Sequence, residues 1–344
     1  MANRVIHLFN GFLNPHGGSE TEALALAEQL RAHGEVKLWA TSSRSPAELR
    51  EAHGIERITL ARAVRGRLAH GSGRDAGPDG GTYVFVGAHW RNRLWTLVVP
   101  PPQRLIYVFN TFHPKILSLT SQHPPLLRWP KTEYVFISEF QKTLLATPGV
   151  IHPSPIDIAR FTPAANAYAK PAGHRPVVGR LSRDTLAKHD PEDFALYREW
   201  SANGADVKLQ GATCIAGALE ADPHLELLPE GARAAVDFLR SLDVFYYRTG
   251  SHVETFGRVV FEAMACGLPV VCHRRGGYAA SIRHGENGFL FDTTQEAREI
   301  MRVLLDQPAL RAKIGANARR TVEALYSRSA LERRAQFYHG QAMA

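Results

Sequence analysis

Short apolar runs alternate with amphipathic stretches along the whole chain. Arg4–Asn10 is an apolar run that ends at Gly11 and the polar stretch Asn14-Pro15-His16-Gly17-Gly18. Ala23, Leu26, Ala27 and Leu30 then recur at i, i+3, i+4 and i+7, the spacing of one helix face. The pattern reads strand, loop, helix. Further β-like runs follow at Val36–Thr41, Tyr83–Val86, Leu105–Phe109 and Tyr134–Ile137, with helical segments between several of them and a Gly-rich loop over 71–81. Such alternation predicts a mostly parallel sheet with helices on both faces.

Pro153, Pro155, Pro163 and Pro171 punctuate 152–176 and mark a linker, after which the alternation restarts. Strands are expected at Val177–Gly179, Asp206–Gln210, Val244–Tyr247, Pro269–Cys272 and Gly288–Phe291. Helices are expected at about 191–202, 231–241, 257–266 and 295–305. The predicted fold class is α/β, with two doubly wound, Rossmann-like domains facing a central cleft. One spans 1–160, a linker 161–176, the second 177–325, and a helical tail 326–344 crosses back to the first domain.

Composition narrows the class. Of 344 residues, 44% are hydrophobic and 22% charged, the values of a soluble globular protein. No apolar run reaches the ~18–20 residues of a membrane span, and the first residues lack a signal-peptide pattern, so a cytoplasmic protein is expected. Cys214, Cys266 and Cys272 are odd in number and form no CxxC pair, which argues against a disulfide framework or thiolate metal site. The net charge of +8 either favours anionic partners or carries no specific meaning, since the arginines are scattered. No recognition helix or RNP-like motif suggests nucleic acid.

Two segments carry candidate chemistry. Gly17-Gly18-Ser19-Glu20 follows the first strand, and Ser19 with Glu22 reads as a capping box that opens a helix. Two glycines there would let a phosphate approach the positive helix end, although an ordinary strand-to-helix turn has the same pattern. It matches neither GxGxxG nor the P-loop. The second segment runs from His252 to Val271, with Gly267 and Pro269 ending a helix that starts near Gly257. Glu254 and Glu262 lie eight residues apart, about 12 Å if helical at ~1.5 Å per residue. A glycosidase pair needs roughly 5–9.5 Å, so two grips on one long ligand fit better.

ETFGRVVFEAMACGLPVV, with Gly276-Gly277 and Gly285-Glu286-Asn287-Gly288 after it, resembles the donor-site signature of the family 4 retaining nucleotide-sugar glycosyltransferases of the GT-B fold. GGSE at 17–20, Ser138-Glu139-Phe140, Pro155-Ile156-Asp157, Phe161-Thr162-Pro163, Gly179-Arg180-Leu181 and Gly288-Phe289-Leu290 extend the resemblance over nearly the whole chain.

The resemblance implies that Gly17 and Gly18 lie near the donor phosphates. It implies that Arg180 and Lys188 hold the diphosphate, with Arg183 competing for the lysine's place because Ser182–Leu186 lengthens the spacing. It gives Glu254 the sugar hydroxyls, Glu262 the ribose, and Thr255, Phe256 and Gly257 a helix N-terminus facing the leaving group. The family histidine falls on either Asn110 or His113 within FNTFHP. Arg248-Thr249 stands where the family has Pro-Ser, which makes Arg248 a further donor-site candidate.

No Asp-x-Asp, HExxH or GxSxG occurs, so neither a metal, a cofactor nor acyl chemistry is expected. The implied reaction moves a sugar from a nucleoside-diphosphate donor to a saccharide or lipid-linked acceptor, in cell-envelope polysaccharide, lipopolysaccharide or glycolipid synthesis. Trp90–Trp95 and Leu126–Lys131 are either contacts for an anionic inner membrane face or ordinary helices with buried tryptophans. A nucleotide-sugar 2-epimerase and a catalytically silent nucleotide-sugar binder are the alternatives.

Overall fold

The central strands are short runs of buried residues, because a parallel sheet covered on both faces leaves no polar side there. The computed structural model describes residues 5–15, 17–61, 63, 77–87, 95, 99–112, 129–165, 173–219 and 221–340. The chain divides into two units, Met1–Pro155 with Arg328–Ala344, and Ile156–Ser327.

The first unit runs β1 (Ile6–Asn10), α1 (Gly18–Arg31), β2 (Val36–Ala40), α2 (Ala47–His53), β3 (Ile55–Arg57), β4 (Thr82–Val86), β5 (Arg104–Phe109), β6 (Thr132–Phe136), α3 (Glu139–Leu145) and β7 (Val150–Ile151). All its strands pair in parallel, in the order β3-β2-β1-β4-β5-β6-β7. One face of the sheet is aromatic: Phe9, Phe85 and Tyr107 stack across three strands at ring distances of 4.5 and 5.0 Å. Offset stacking of this kind adds to the burial of the rings themselves.

The second unit runs β8 (Val177–Leu181), α4 (Asp193–Ala202), β9 (Asp206–Gln210), β10 (Leu225–Leu228), α5 (Ala235–Arg240), β11 (Val244–Tyr247), α6 (Arg258–Ala265), β12 (Val270–His273), β13 (Phe289–Phe291), α7 (Thr294–Asp306) and α8 (Pro308–Leu325). Its strands are also parallel, in the order β10-β9-β8-β11-β12-β13. Leu196, Trp200, Val207, Val244, Tyr246 and Met301 form its core. Thr293 and Glu296 close a capping box that starts α7. Arg319 of α8 donates to the carbonyls of Ile158, Phe161 and Ala265, and Arg240 to that of Thr162, so 158–162 is built into this unit.

The last helix, α9 (Arg328–His339), packs in the first unit. Gln29 Nε2 donates to the Leu331 carbonyl at 3.0 Å, and the Arg104 guanidinium lies 4.6 Å from the Phe337 ring centroid. The His152 ring meets Phe337 edge-on at 5.0 Å. Among the described residues no helix is long and apolar enough to cross a membrane.

Candidate donor site at the carboxyl end of the second sheet

In both units the strand order reverses beside the first strand, and the loops leaving the two central strands diverge there. Ligands of doubly wound sheets bind at that point, beyond the carboxyl ends of the strands. In the second unit the central strands are β8 and β11, so the loops after Leu181 and Tyr247 define the place. Lys188 lies in the first loop and Glu254 in the second.

These two side chains meet. Lys188 Nζ donates to Glu254 Oε1, and the Tyr247 hydroxyl donates to the same oxygen at 2.6 Å. His252 Nε2 stands 3.6 Å from Glu254 Oε2. Both members of the pair are largely buried, with side chains 8% and 14% exposed. Burial opposes ionisation of Glu254, yet the His252 ring beside it, the charge and hydrogen bond of Lys188, and the Tyr247 hydroxyl outweigh it. They hold the carboxyl at about 2. For Lys188 the balance goes the other way: burial pulls the ammonium below its ordinary value, and Glu254 offsets only part of this. The same attraction enters both groups, and the lysine's desolvation exceeds it.

Arg180 differs from expectation. It sits inside β8 with no accessible surface, and its Nε has no hydrogen-bond partner. It donates to the carbonyls of Arg248 (2.8 Å) and Lys188, and lies 5.2 Å from the centroid of the Tyr247 ring. The cause is position: a residue between Gly179 and Leu181 in a central parallel strand is covered on either face. Arg248 is likewise enclosed. Its Nε donates to Asp193 Oδ1 at 2.8 Å and its Nη1 to Glu192 at 3.1 Å, so a buried carboxylate and an exposed one hold a guanidinium that is itself buried. Arg183 is exposed, and its charge is felt at Lys188.

The second loop is pinned from several sides. The His252 amide donates to the Ala187 carbonyl at 3.0 Å, and the Gly277 amide to the Glu254 carbonyl at 2.9 Å. A Cβ on Gly277 would fall 1.9 Å from the Thr255 carbonyl oxygen, so only glycine lets the two segments close. Phe256 is buried and stacks on Phe261 at 4.2 Å, which anchors the start of α6 rather than offering a ring to a ligand. Gly257 caps α6. Glu262, inside that helix, is pushed up by burial, with Arg258 at 3.8 Å offsetting part of the effect.

In the first unit, α1 begins at Gly18 with Gly17 as its cap, and the Ser19–Glu22 capping box does not form. Longer-range partners take both groups: Asn10 Nδ2 donates to Ser19 Oγ at 2.8 Å, and Ser154 Oγ donates to Glu22 at 2.9 Å. Asn10 also donates to the Val86 carbonyl and accepts from the Phe12 amide, fixing the loop after β1. A Cβ on Gly17 would meet Glu20 Oε2 at 2.2 Å, blocking the carboxylate that accepts from the Leu13 amide. Asn110 is half-buried just past β5, while His113 lies outside the described residues. So do 90–94 and 126–128 of the two Trp-containing stretches. Tyr247 and His252 are members of the cluster that sequence reasoning did not single out. Phe245-Tyr246-Tyr247-Arg248 at the end of a predicted central strand was the available signal.

Residues 206–321 match the family described as "Glycosyl transferases group 1". A D-inositol 3-phosphate glycosyltransferase of Arthrobacter sp. (strain FB24) is 31% identical over 203 residues, 52% of this chain and 45% of its own length. The chain thus spans about half the length of the curated relatives that it matches over the longest segments. Among solved structures, Anabaena Alr3699/HepE in complex with UDP-glucose superimposes with a TM-score of 0.70 at 16% identity, covering 97% of this chain and 98% of that one. A glycosyltransferase from Rickettsia africae ESF-5 does so with a TM-score of 0.73 at 15% identity, covering 99% of both. The chain has the GT-B fold, and its second unit carries a glycosyl transferases group 1 segment.

Proposed function

We propose that this chain is a retaining, metal-independent family 4 glycosyltransferase that moves a sugar from a nucleoside-diphosphate donor to a hydroxyl of a saccharide or lipid-linked acceptor. The observation that carries the reading is the Lys188–Glu254 pair, held by Tyr247 at the point of the second sheet where doubly wound folds take their ligands. A buried cation beside a buried carboxylate suits a ligand with an anionic and a hydroxylated part.

In this reading Lys188 and the exposed Arg183 meet the diphosphate, Glu254 the sugar hydroxyls and Glu262 the ribose. Backbone amides of Thr255, Phe256 and Gly257 face the leaving group. The bond from the anomeric carbon to the diphosphate oxygen breaks while the bond to the acceptor oxygen forms on the same face. The acceptor's proton passes to the departing diphosphate. Fixed cations aimed at that developing charge are the main catalytic contribution of the protein. That HepE was solved with UDP-glucose supports a nucleotide-sugar donor. The cellular setting proposed is envelope polysaccharide, lipopolysaccharide or glycolipid synthesis at the cytoplasmic face of the inner membrane.

The test is a thermal-shift screen against UDP-, GDP-, TDP- and CMP-sugars with and without EDTA, followed by transfer assays with the donor that stabilises the protein. Anomeric configuration is read by NMR. Retention of turnover in EDTA and of configuration in the product is expected, and Glu254→Gln should lower kcat more than it lowers nucleotide affinity. Isomerisation of the donor without acceptor would convert the reading to an epimerase, and binding without transfer to any acceptor would convert it to a binding protein.

A further inference from the structure

Glu254 sits on a loop with no helix or strand of its own, yet its carboxylate must keep one place if it is to grip a sugar. Three groups touch it, and one differs from the others in how firmly it is itself held. Lys188 and His252 belong to the same pair of loops as Glu254. Tyr247 is the last residue of β11, in the middle of the sheet, and is 1% exposed. Its ring stacks on Phe245 at 5.8 Å and meets Tyr278 edge-on at 6.0 Å, with the Arg180 guanidinium 5.2 Å from its centroid. The ring has no room to turn, so its hydroxyl is a fixed point, and from there it donates to Glu254 Oε1 at 2.6 Å.

Arg180 braces the same assembly from beneath. One guanidinium nitrogen donates to the carbonyl of Arg248, where the second loop leaves β11, and another to the carbonyl of Lys188 in the first loop. A planar guanidinium holds two carbonyls and a ring face in one rigid fork, which the flexible ammonium of a lysine does not reproduce. We propose that Tyr247, braced by Arg180, is a positioning residue that fixes the Glu254 carboxylate for the transfer reaction. The inference rests on the glycosyltransferase reading.

The test uses the full chain and the nucleotide sugar that the parent protein turns over. Tyr247→Phe removes one oxygen and keeps the buried ring. Loss of a hydrogen bond to a charged group should lower kcat by about tenfold or more, with the dissociation constant of the matching nucleoside diphosphate within about twofold of the parent. In a Glu254→Gln background the same substitution should cost less than about twofold, because the group it positions is gone. Arg180→Lys keeps the charge and should still lose about tenfold in kcat. An unchanged kcat in Tyr247→Phe overturns the inference, as does an equal loss with and without Glu254. Parent-like turnover in Arg180→Lys overturns the bracing role. Should Arg180→Lys fail to fold by circular dichroism, Tyr247→Phe and its double variant decide. A parent protein that neither binds nor turns over any nucleotide sugar brings down the glycosyltransferase reading itself, a result seen before any variant is made.

Discussion

Replacing Lys188 by methionine keeps the length and apolar stem of the side chain and removes its charge. Glu254 then stays buried with the Tyr247 hydroxyl and His252 but without its cation. The magnitude follows from the carboxyl itself, which titrates at about 2 against an ordinary 4.5. At about 1.4 kcal/mol per tenfold in proton affinity, its partners together supply about 3 kcal/mol net of burial. Deleting one partner of a buried ion pair costs more than the pair is worth, because the other charge is stranded. We expect a loss of about 2–3 kcal/mol at pH 7. Because the folded-state value is depressed, this stabilisation is whole above about pH 4.5 and is lost as pH falls through about 2. Urea unfolding followed by circular dichroism should therefore show the gap between parent and variant at pH 3 shrunk to about half or less of its value at pH 7. The double variant Lys188→Met/Glu254→Gln should be destabilised by about 1–2 kcal/mol less than the sum of its singles. A loss under about 0.5 kcal/mol, or a gap independent of pH, would refute the account of this pair.

Other expectations are briefer. Gly277→Ala sets a methyl against the Thr255 carbonyl, and since backbone cannot yield cheaply, a loss of about 2 kcal/mol or more in calorimetry is expected together with lower turnover. Glu262→Gln should weaken nucleoside diphosphate binding by about 1–3 kcal/mol, and unchanged affinity by titration calorimetry would remove its ribose role. His7 is held at about 4, below its ordinary 6.5, chiefly by burial and secondarily by Lys37, so its contribution is full above about pH 6.5 and is lost as pH falls toward 4. Between pH 7 and 5 that amounts to about 2 kcal/mol, and His7→Gln should flatten the corresponding part of the stability curve.

The fold was legible because parallel strands buried on both faces leave a strong signal. Tyr83–Val86, Leu105–Phe109 and Val244–Tyr247 stand out as dense apolar runs, and each is a strand within a residue. Leu225–Leu228 was not anticipated: it is an edge strand, half-exposed and interrupted by Glu226, so it lacks that density. At the site, Lys188 and Glu254 were readable from motif and loop position. The burial of Arg180 was not, since a charged residue next to Gly179 reads as a loop position until the strand is seen to continue through it to Leu181. Ser19 and Glu22 failed as a cap for a related reason. Local spacing proposes a bond between neighbours, and it carries no information about Asn10 or Ser154, which arrive from elsewhere in the first unit and win both groups.

The assignment of Arg328–His339 to the first unit sets an order of assembly during synthesis. A ribosome delivers all of Ile156–Ser327 before it delivers the helix on which Gln29, Arg104 and His152 close. The later-encoded lobe can thus mature while the earlier one still waits, its flank bare, for Arg328–His339 to emerge.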